Sequence, residues 1–382
     1  MQIISEFSTE AAQSPVVLSP PERTGDEERL LKEMLTSGWI APAGPMIAAF
    51  EKAAQRATTF PHVAAVASGT AALHLACRLV GLRPGDQVWT STLTYIATIS
   101  PAVQMGARPV FLDVDPASWT LDPDLLTDTL AHAARRGRLP RAVISVDLYG
   151  QCADMPALRE ACDRWGVSLI ADCAESLGAT AHGRQAGRGA HLAAFSFNGN
   201  KIVTCGGGGA LASEDVALAD HARFLAAQAR ERAAHYQHET TGYSYGLPSP
   251  CAAIGLAQLP HLAARITHRR AVFAAYRDGL ANIPGVSFMP EPTWSRGTRW
   301  LTALLLPPGK RETVRKALME AGVECRPIWK PMHLQPVFRR APRIGGEVAA
   351  GLFRDGLCLP SGLMPPDGQD RVIATIRAVL ER

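Results

Sequence analysis

His62-Val-Ala-Ala-Val-Ala-Ser-Gly-Thr-Ala-Ala-Leu-His-Leu-Ala-Cys-Arg-Leu79 reads as an apolar strand, a turn of small residues at Ser68-Gly69-Thr70 and a helix, in that order. The unit recurs downstream. Gln87-Val-Trp-Thr90, Pro109-Val-Phe-Leu112, Ala142-Val-Ile-Ser-Val146, Val167-Ser-Leu-Ile-Ala171 and Ala193-Ala-Phe-Ser-Phe197 are further short apolar runs, separated by stretches with helical spacing. Strands apolar on both faces that alternate with helices predict a mostly parallel sheet covered on both sides, with ligands at the carboxyl ends of its strands. After about residue 250 the pattern changes. Ala252 to Ile283 predicts a long connecting helix bent near Pro260. Arg299–Leu306, Lys310–Ala321 and Gln369–Leu380 predict a strand and two helices of a smaller α+β domain. The expected division is 1–255 for an N-terminal arm and a large domain, and 256–382 for a small C-terminal domain. About the first forty residues, with turn signals at Ser19-Pro20-Pro21 and Ala41-Pro-Ala-Gly-Pro45, read as an arm lying on a larger body.

Composition narrows the classes. A chain of 382 residues, 47% hydrophobic and 19% charged, can bury a sizeable core and divide into two or three domains. The formal charge is only +4 and no basic run concentrates it, so a nucleic-acid partner is not expected. Eight cysteines with no Cys-x-x-Cys pair point to buried thiols in a reducing compartment. The first residues carry no basic n-region, and no window reaches about 18 uninterrupted apolar residues. The expected location is the cytoplasm, with no membrane association. His235-x-x-His238, the one close histidine pair, has no acidic or cysteine partner at convincing spacing, so no metal site is expected.

Of the six lysines, Lys201 is the unusual one. It sits in Phe195-Ser-Phe-Asn-Gly-Asn-Lys-Ile-Val-Thr-Cys-Gly-Gly-Gly-Gly209, directly after an apolar strand and before four glycines. Desolvation there would lower the amine's pKa and make it a nucleophile or Schiff-base former; a lysine snorkelling from a strand end is the equal alternative. Asp172 ends the strand before Cys173-Ala-Glu-Ser-Leu-Gly178. It is either a helix cap or the carboxylate that keeps the ring nitrogen of pyridoxal phosphate (PLP) protonated. Ser68-Gly69-Thr70-Ala71-Ala72 is a strand-to-helix turn whose amides suit a phosphate dianion. Tyr95 offers an aromatic face to a cofactor ring, or is simply a core tyrosine.

Together these segments resemble the DegT/DnrJ/EryC1/StrS family of PLP-dependent sugar aminotransferases over nearly the whole chain. The matching motifs are Ser68-Gly-Thr-Ala-Ala-Leu73, Thr94-Tyr95, Asp172-Cys-Ala-Glu175, and Ser196-Phe197 with Lys201 five residues after the serine. The resemblance implies an α/β PLP fold-type I (aspartate aminotransferase-like) chain: a large domain with a mostly parallel seven-stranded sheet plus a smaller C-terminal α+β domain. It also implies a homodimer with shared active sites. Lys201 would be the Schiff-base lysine and general base, Asp172 the partner of the ring nitrogen, and Tyr95 and Glu175 the residues on the two ring faces. Thr70, Ala71, Ser196 and Ser244 would hold the phosphate. Family members that dehydrate sugars at C3 carry histidine at the position of Lys201, so its presence favours amino transfer.

Leu18-Ser-Pro-Pro21, Gly38-Trp-Ile-Ala-Pro42, Arg299-Trp-Leu-Thr302 and Arg326-Pro-Ile-Trp-Lys-Pro-Met-His-Leu-Gln-Pro-Val-Phe338 resemble the branch that aminates C4 of UDP-linked 4-keto-6-deoxy-N-acetylhexosamines, as in bacillosamine-type precursors. The implied donor is L-glutamate. Arg326, Lys330 and His333, with Trp39, become the expected contacts to a nucleotide-linked keto-sugar; a Pro-rich loop with solvated charges is the alternative. A dTDP- or GDP-linked sugar, or a PLP-binding sensor without turnover, are the rival readings. One motif departs from the family: Gly242-Tyr-Ser-Tyr-Gly246 stands where Gly-Tyr-Asn-Tyr-Arg commonly places an asparagine on the partner's phosphate.

Overall fold

Seven short apolar strands align into one sheet in the computed structural model, which describes residues 14–382. They are β1 (His62–Val66), β2 (Gln87–Ser91), β3 (Arg108–Leu112), β4 (Ala142–Val146), β5 (Ser168–Asp172), β6 (Leu192–Ser196) and β7 (Gly209–Ser213), in the spatial order β1-β7-β6-β5-β4-β2-β3. Strands β2 to β6 are parallel, and β7 runs antiparallel to both β1 and β6. A two-residue strand, Arg343–Ile344, extends the β3 edge in parallel, so the sheet has eight strands where seven are expected. Two residues after a proline carry no period from which a strand can be read.

The alternation of side chains explains why both faces must be covered. In β5, Leu169 and Ala171 enter one apolar cluster and Ile170 the other; in β4, Val143 and Ile144 divide the same way. All four of those in the pairs Leu169/Ile170 and Val143/Ile144 are fully buried. Helix Gly69–Leu79 covers β6 and β7 on one side. A third cluster, including Tyr276, Leu304, Val314, Leu357 and Ile376, forms the core of a smaller antiparallel sheet of Ser287–Phe288, Thr302–Leu305, Gly356–Leu359 and Arg326–Pro327.

The connection between the two sheets is helical: Ser249–Gln258, a 3-10 turn Leu259–His261 around Pro260, then Leu262–Leu280. The boundary near residue 255 falls inside the first of these helices. From residue 14 to the start of β1 the chain is more embedded than a surface arm. It holds helices Glu27–Ser37 and Pro45–Thr58, the first closed by left-handed Gly38 and the second opened by Pro45 at its start. Met34 and Phe50 from these helices are buried in the main core, while Val16 pairs with Val323 in the core of the smaller unit. Seven of the eight cysteines are buried free thiols and Cys251 is half-buried. Among the described residues no helix is long and apolar enough to cross a membrane.

Candidate active site

Strands β4, β5 and β6 end at Val146, Asp172 and Ser196 along one edge of the sheet, beside the first turn of helix Gly69–Leu79. The rim encloses a cavity of about 470 Å³. Thr70, Tyr95, Asp172, Glu175, Ser196 and Lys201 all line it.

Asp172 is the last residue of β5, so its side chain stands at the strand's mouth. Thr98 Oγ1 donates to Oδ2 at 2.6 Å and the Ala174 N–H donates to Oδ1 at 3.1 Å. Burial pushes this carboxyl's pKa up; Thr98, Ala174 and Lys201 oppose the rise. Lys201 Nζ lies 3.9 Å from Glu175 Oε1 and 4.1 Å from the centre of the Trp300 ring. Burial lowers the amine's pKa, with Glu175 and Asp172 pulling the other way. Glu175 Oε2 accepts from the Tyr149 N–H at 2.8 Å and Oε1 from Trp329 Nε1–H at 3.2 Å, and burial raises its pKa. An amine and two carboxylates lining one cavity and largely withdrawn from solvent keep their charges only by facing one another or a charged ligand.

The opposite wall is built for an anion. Ser68 caps helix Gly69–Leu79, its Oγ accepting from the Ala71 N–H at 3.0 Å. A Cβ on Gly69 would lie 2.9 Å from Ser196 Cβ, and one on Gly209 would lie 2.3 Å from the Ser68 carbonyl carbon. Only glycine lets β7, Ser196 and the helix start approach this closely, leaving a positive helix pole facing the cavity.

The loop carrying Lys201 is fixed from outside the sheet. The Asn200 carbonyl accepts from Ser19 Oγ at 2.8 Å and Trp300 Nε1–H at 2.9 Å. Buried Arg269 donates to the Trp300 carbonyl at 2.6 Å and pairs with Glu22 at 3.7 Å, and Arg265 donates to the Ile202 carbonyl at 3.0 Å. Burial lowers the pKa of Arg269 to about 10.

Several expected contacts lie elsewhere. The Ala71 amide is taken by Ser68, and its side chain is buried in the core beneath the helix. Trp39 is half-exposed and folds over Gly44, away from the cavity. Ser244 is exposed, on a segment bridged to Ala227, and does not line the cavity of its own chain. Arg326 is exposed and paired with Glu324 at 3.1 Å. Lys330 is exposed, and His333 is buried with Nδ1 2.6 Å from Thr92 Oγ1. The segment Arg326 to His333 therefore brings no cation to the cavity; it brings Trp329, which packs against Tyr149 and Tyr95 at ring distances of 5.3 and 6.3 Å.

Thr98, Asp147, Asn200, Trp300 and Trp329 also line the cavity and were not singled out from the sequence. Asp147 carried a legible signal, since it follows β4 as Asp172 ends β5. Ser176 Oγ donates to its Oδ2 at 2.6 Å and the Ala153 N–H to its Oδ1 at 2.9 Å, yet burial pushes its pKa up to about 6. Thr98 stands four residues after Thr94, a helical spacing. For Trp300, a hundred residues from the loop it holds, the sequence offers no local signal.

An amine of lowered pKa, a buried carboxylate at a strand's mouth and a positive helix pole around one cavity match the three ends of PLP: aldehyde, ring nitrogen and phosphate. On this fold they define a PLP-dependent aminotransferase of fold type I. The particular lineage follows from comparison with known proteins: the chain belongs to the DegT/DnrJ/EryC1/StrS aminotransferase family, whose model matches residues 21–377. It is 44% identical to EpsN of Bacillus subtilis (strain 168), provisionally named a PLP-dependent aminotransferase, over 94% of this chain and 95% of that one. It is 34% identical to the GDP-perosamine synthase of Caulobacter vibrioides, over 96% and 98%. Among solved structures, that of S. venezuelae DesV in complex with a ketimine intermediate superposes with a TM-score of 0.85 at 32% identity, covering 94% of this chain and 95% of that one.

Proposed function

We propose that this chain moves an amino group from L-glutamate to C4 of a UDP-linked 4-keto-6-deoxy-N-acetylhexosamine, acting as a cytoplasmic homodimer. The observation that carries amino transfer is the place of Lys201, half-buried in the cavity wall beside Glu175 and close enough to Asp172 to be influenced by it. When bound, PLP supplies the electron sink for the carbon that gains or loses the amino group. Lys201 Nζ is the base that moves a proton at that carbon; its lowered pKa keeps a fraction of the amine neutral for the task. Asp172 holds the ring-nitrogen proton, Thr70, Ser196 and the helix pole hold the phosphate, and Tyr95 and Glu175 flank the ring. Trp300 and Trp329 supply apolar walls that keep water from the reacting groups.

The UDP-linked substrate rests on the motifs from Leu18 to Pro21, Gly38 to Pro42 and Arg326 to Phe338, and the homodimer on the Gly242–Gly246 motif with Ser244 exposed on the surface. A second reading, a GDP-linked keto-sugar, is favoured by the similarity to GDP-perosamine synthase. The test is a half-reaction: the amine form of the cofactor is loaded on the protein, and its absorbance is followed on adding UDP-, GDP- or dTDP-linked 4-keto-6-deoxy sugars. The UDP sugar is expected to react fastest. A faster GDP sugar would establish the second reading, and no reaction with any of the three would remove nucleotide sugars as substrates.

A further inference from the structure

Asp172 does not stand alone at the strand's mouth. Thr98 Oγ1 donates to Asp172 Oδ2 at 2.6 Å, and Thr94 Oγ1 lies 2.6 Å from Thr98 Oγ1. A hydroxyl has one proton, and Thr98 spends it on the carboxylate, so the second bond needs Thr94 as its donor; the other acceptor for the Thr94 proton, the Tyr95 carbonyl, is farther away at 3.4 Å. Both threonines are buried, at 0% and 2% exposure, and both belong to the turn that carries Tyr95: Thr98 closes the 3-10 turn Ile96–Thr98, its N–H donating to the Tyr95 carbonyl at 3.1 Å. Two short hydroxyl bonds in series between buried side chains polarise one another. The second Asp172 oxygen is held by the Ala174 N–H, so the plane of the carboxylate is set from both sides. The ionisable groups around it are Lys201 from the loop after β6, Glu175 and Cys173 from the turn after β5, and Asp147 from the end of β4. Only the lysine favours the anion; the carboxylates oppose it. The charge-assisted bond from Thr98 is the main neutral support that the anion has.

We propose that Thr94 and Thr98 form a one-way hydroxyl relay that fixes the Asp172 carboxylate, in orientation and as an acceptor, toward the ring nitrogen of the cofactor. Thr98 is thus a positioning residue, and the turn that presents Tyr95 to one face of the ring also governs the proton on its nitrogen. The inference rests on the reading of Asp172 as the ring-nitrogen partner. Without the Thr98 donor, Asp172 becomes the stronger base and draws the shared proton away from the ring.

The experiment reconstitutes the full-length protein with PLP labelled with nitrogen-15 in the ring and reads the ring-nitrogen chemical shift at neutral pH. Wild type is expected at the protonated end of the range, Thr98→Val displaced measurably toward the unprotonated end, and Thr98→Ser back at the wild-type value. In parallel, kcat is expected to fall about tenfold in Thr98→Val with KM for the keto-sugar unchanged. Should Thr98→Val not fold, Thr94→Val removes only the outer donor and should shift the signal the same way by less. Asp172→Asn separates the two layers of the argument. If it moves the signal to the unprotonated end while neither threonine variant moves it, the relay is overturned and the role of Asp172 stands. If Asp172→Asn leaves the signal in place, the reading of Asp172 itself fails.

Discussion

The rim of the cavity and the segment from Arg326 to Phe338 both carry ionisable side chains, and they treat them in opposite ways. On the rim, Asp172 and Glu175 are buried and Lys201 is half-buried; all three are displaced from their ordinary pKa values, and the two carboxylates are held by donors from three separate parts of the chain. In the segment, Arg326 and Lys330 are exposed, with Arg326 paired to its neighbour Glu324, and His333 is tied to Thr92. Charges that the fold desolvates have been given work to do against water's preference; charges left in solvent are satisfied locally and cost little to lose.

The comparison can be broken most severely at Arg269. Replacing it by Met removes the donor to the Trp300 carbonyl and part of the compensation for Glu22 in a buried pair, which should cost about 3–5 kcal/mol in chemical denaturation. A loss below about 1 kcal/mol would mean that the Lys201 loop does not depend on this brace.

Asp147 tests the electrostatic side. Its carboxyl is raised from 3.8 to about 6 by burial, so the folded chain binds the proton more tightly than the unfolded one. The stability this contributes is complete below the unfolded pKa and is lost as pH rises through about 6, up to about 3 kcal/mol in all. Asp147→Asn cannot titrate, and its amide can still accept from Ala153 and donate to Ser176. The variant should therefore gain on wild type between about pH 4 and pH 7 in melting experiments, and parallel curves would contradict the buried charge.

The smallest effect belongs to the exposed segment. Arg326→Ala and Lys330→Ala should each change stability and the binding energy of the nucleotide sugar by less than about 1 kcal/mol, read as a KM shift of a few-fold at most. A tenfold rise in KM would show that these cations reach a diphosphate after all, and would sharpen the contrast by moving part of the segment into the site.

The same contrast explains what could be read from the sequence. Asp172, Ser196 and Lys201 sit at or just beyond strand ends, and a strand's end in a parallel sheet is a place defined by the local pattern. Their convergence follows once the strand order is fixed. The small-residue turn Ser68-Gly69-Thr70 was legible for the same reason, because it joins a strand to a helix. Trp300 and Ser19 meet Asn200 only through tertiary approach, and no local spacing announces it. The helices Glu27–Ser37 and Pro45–Thr58 were obscured by the turn residues between them, Ala41 to Pro45, although Pro45 itself opens the second. In Arg326 to His333 composition suggested a cationic site, but composition does not tell which way a loop turns its side chains; the backbone directs Trp329 inward and leaves Lys330 in solvent.

Everything on the rim depends on Lys201 being the residue that takes up the cofactor. Purified wild-type protein supplied with PLP should develop an absorbance band in the visible to near-ultraviolet that persists through desalting, and Lys201→Ala, folded to the same melting curve, should lack that band and lose at least about 10²–10⁴-fold in amino transfer. A wild type that stays colourless after PLP is added, or a Lys201→Ala protein that retains the same band, would contradict the account.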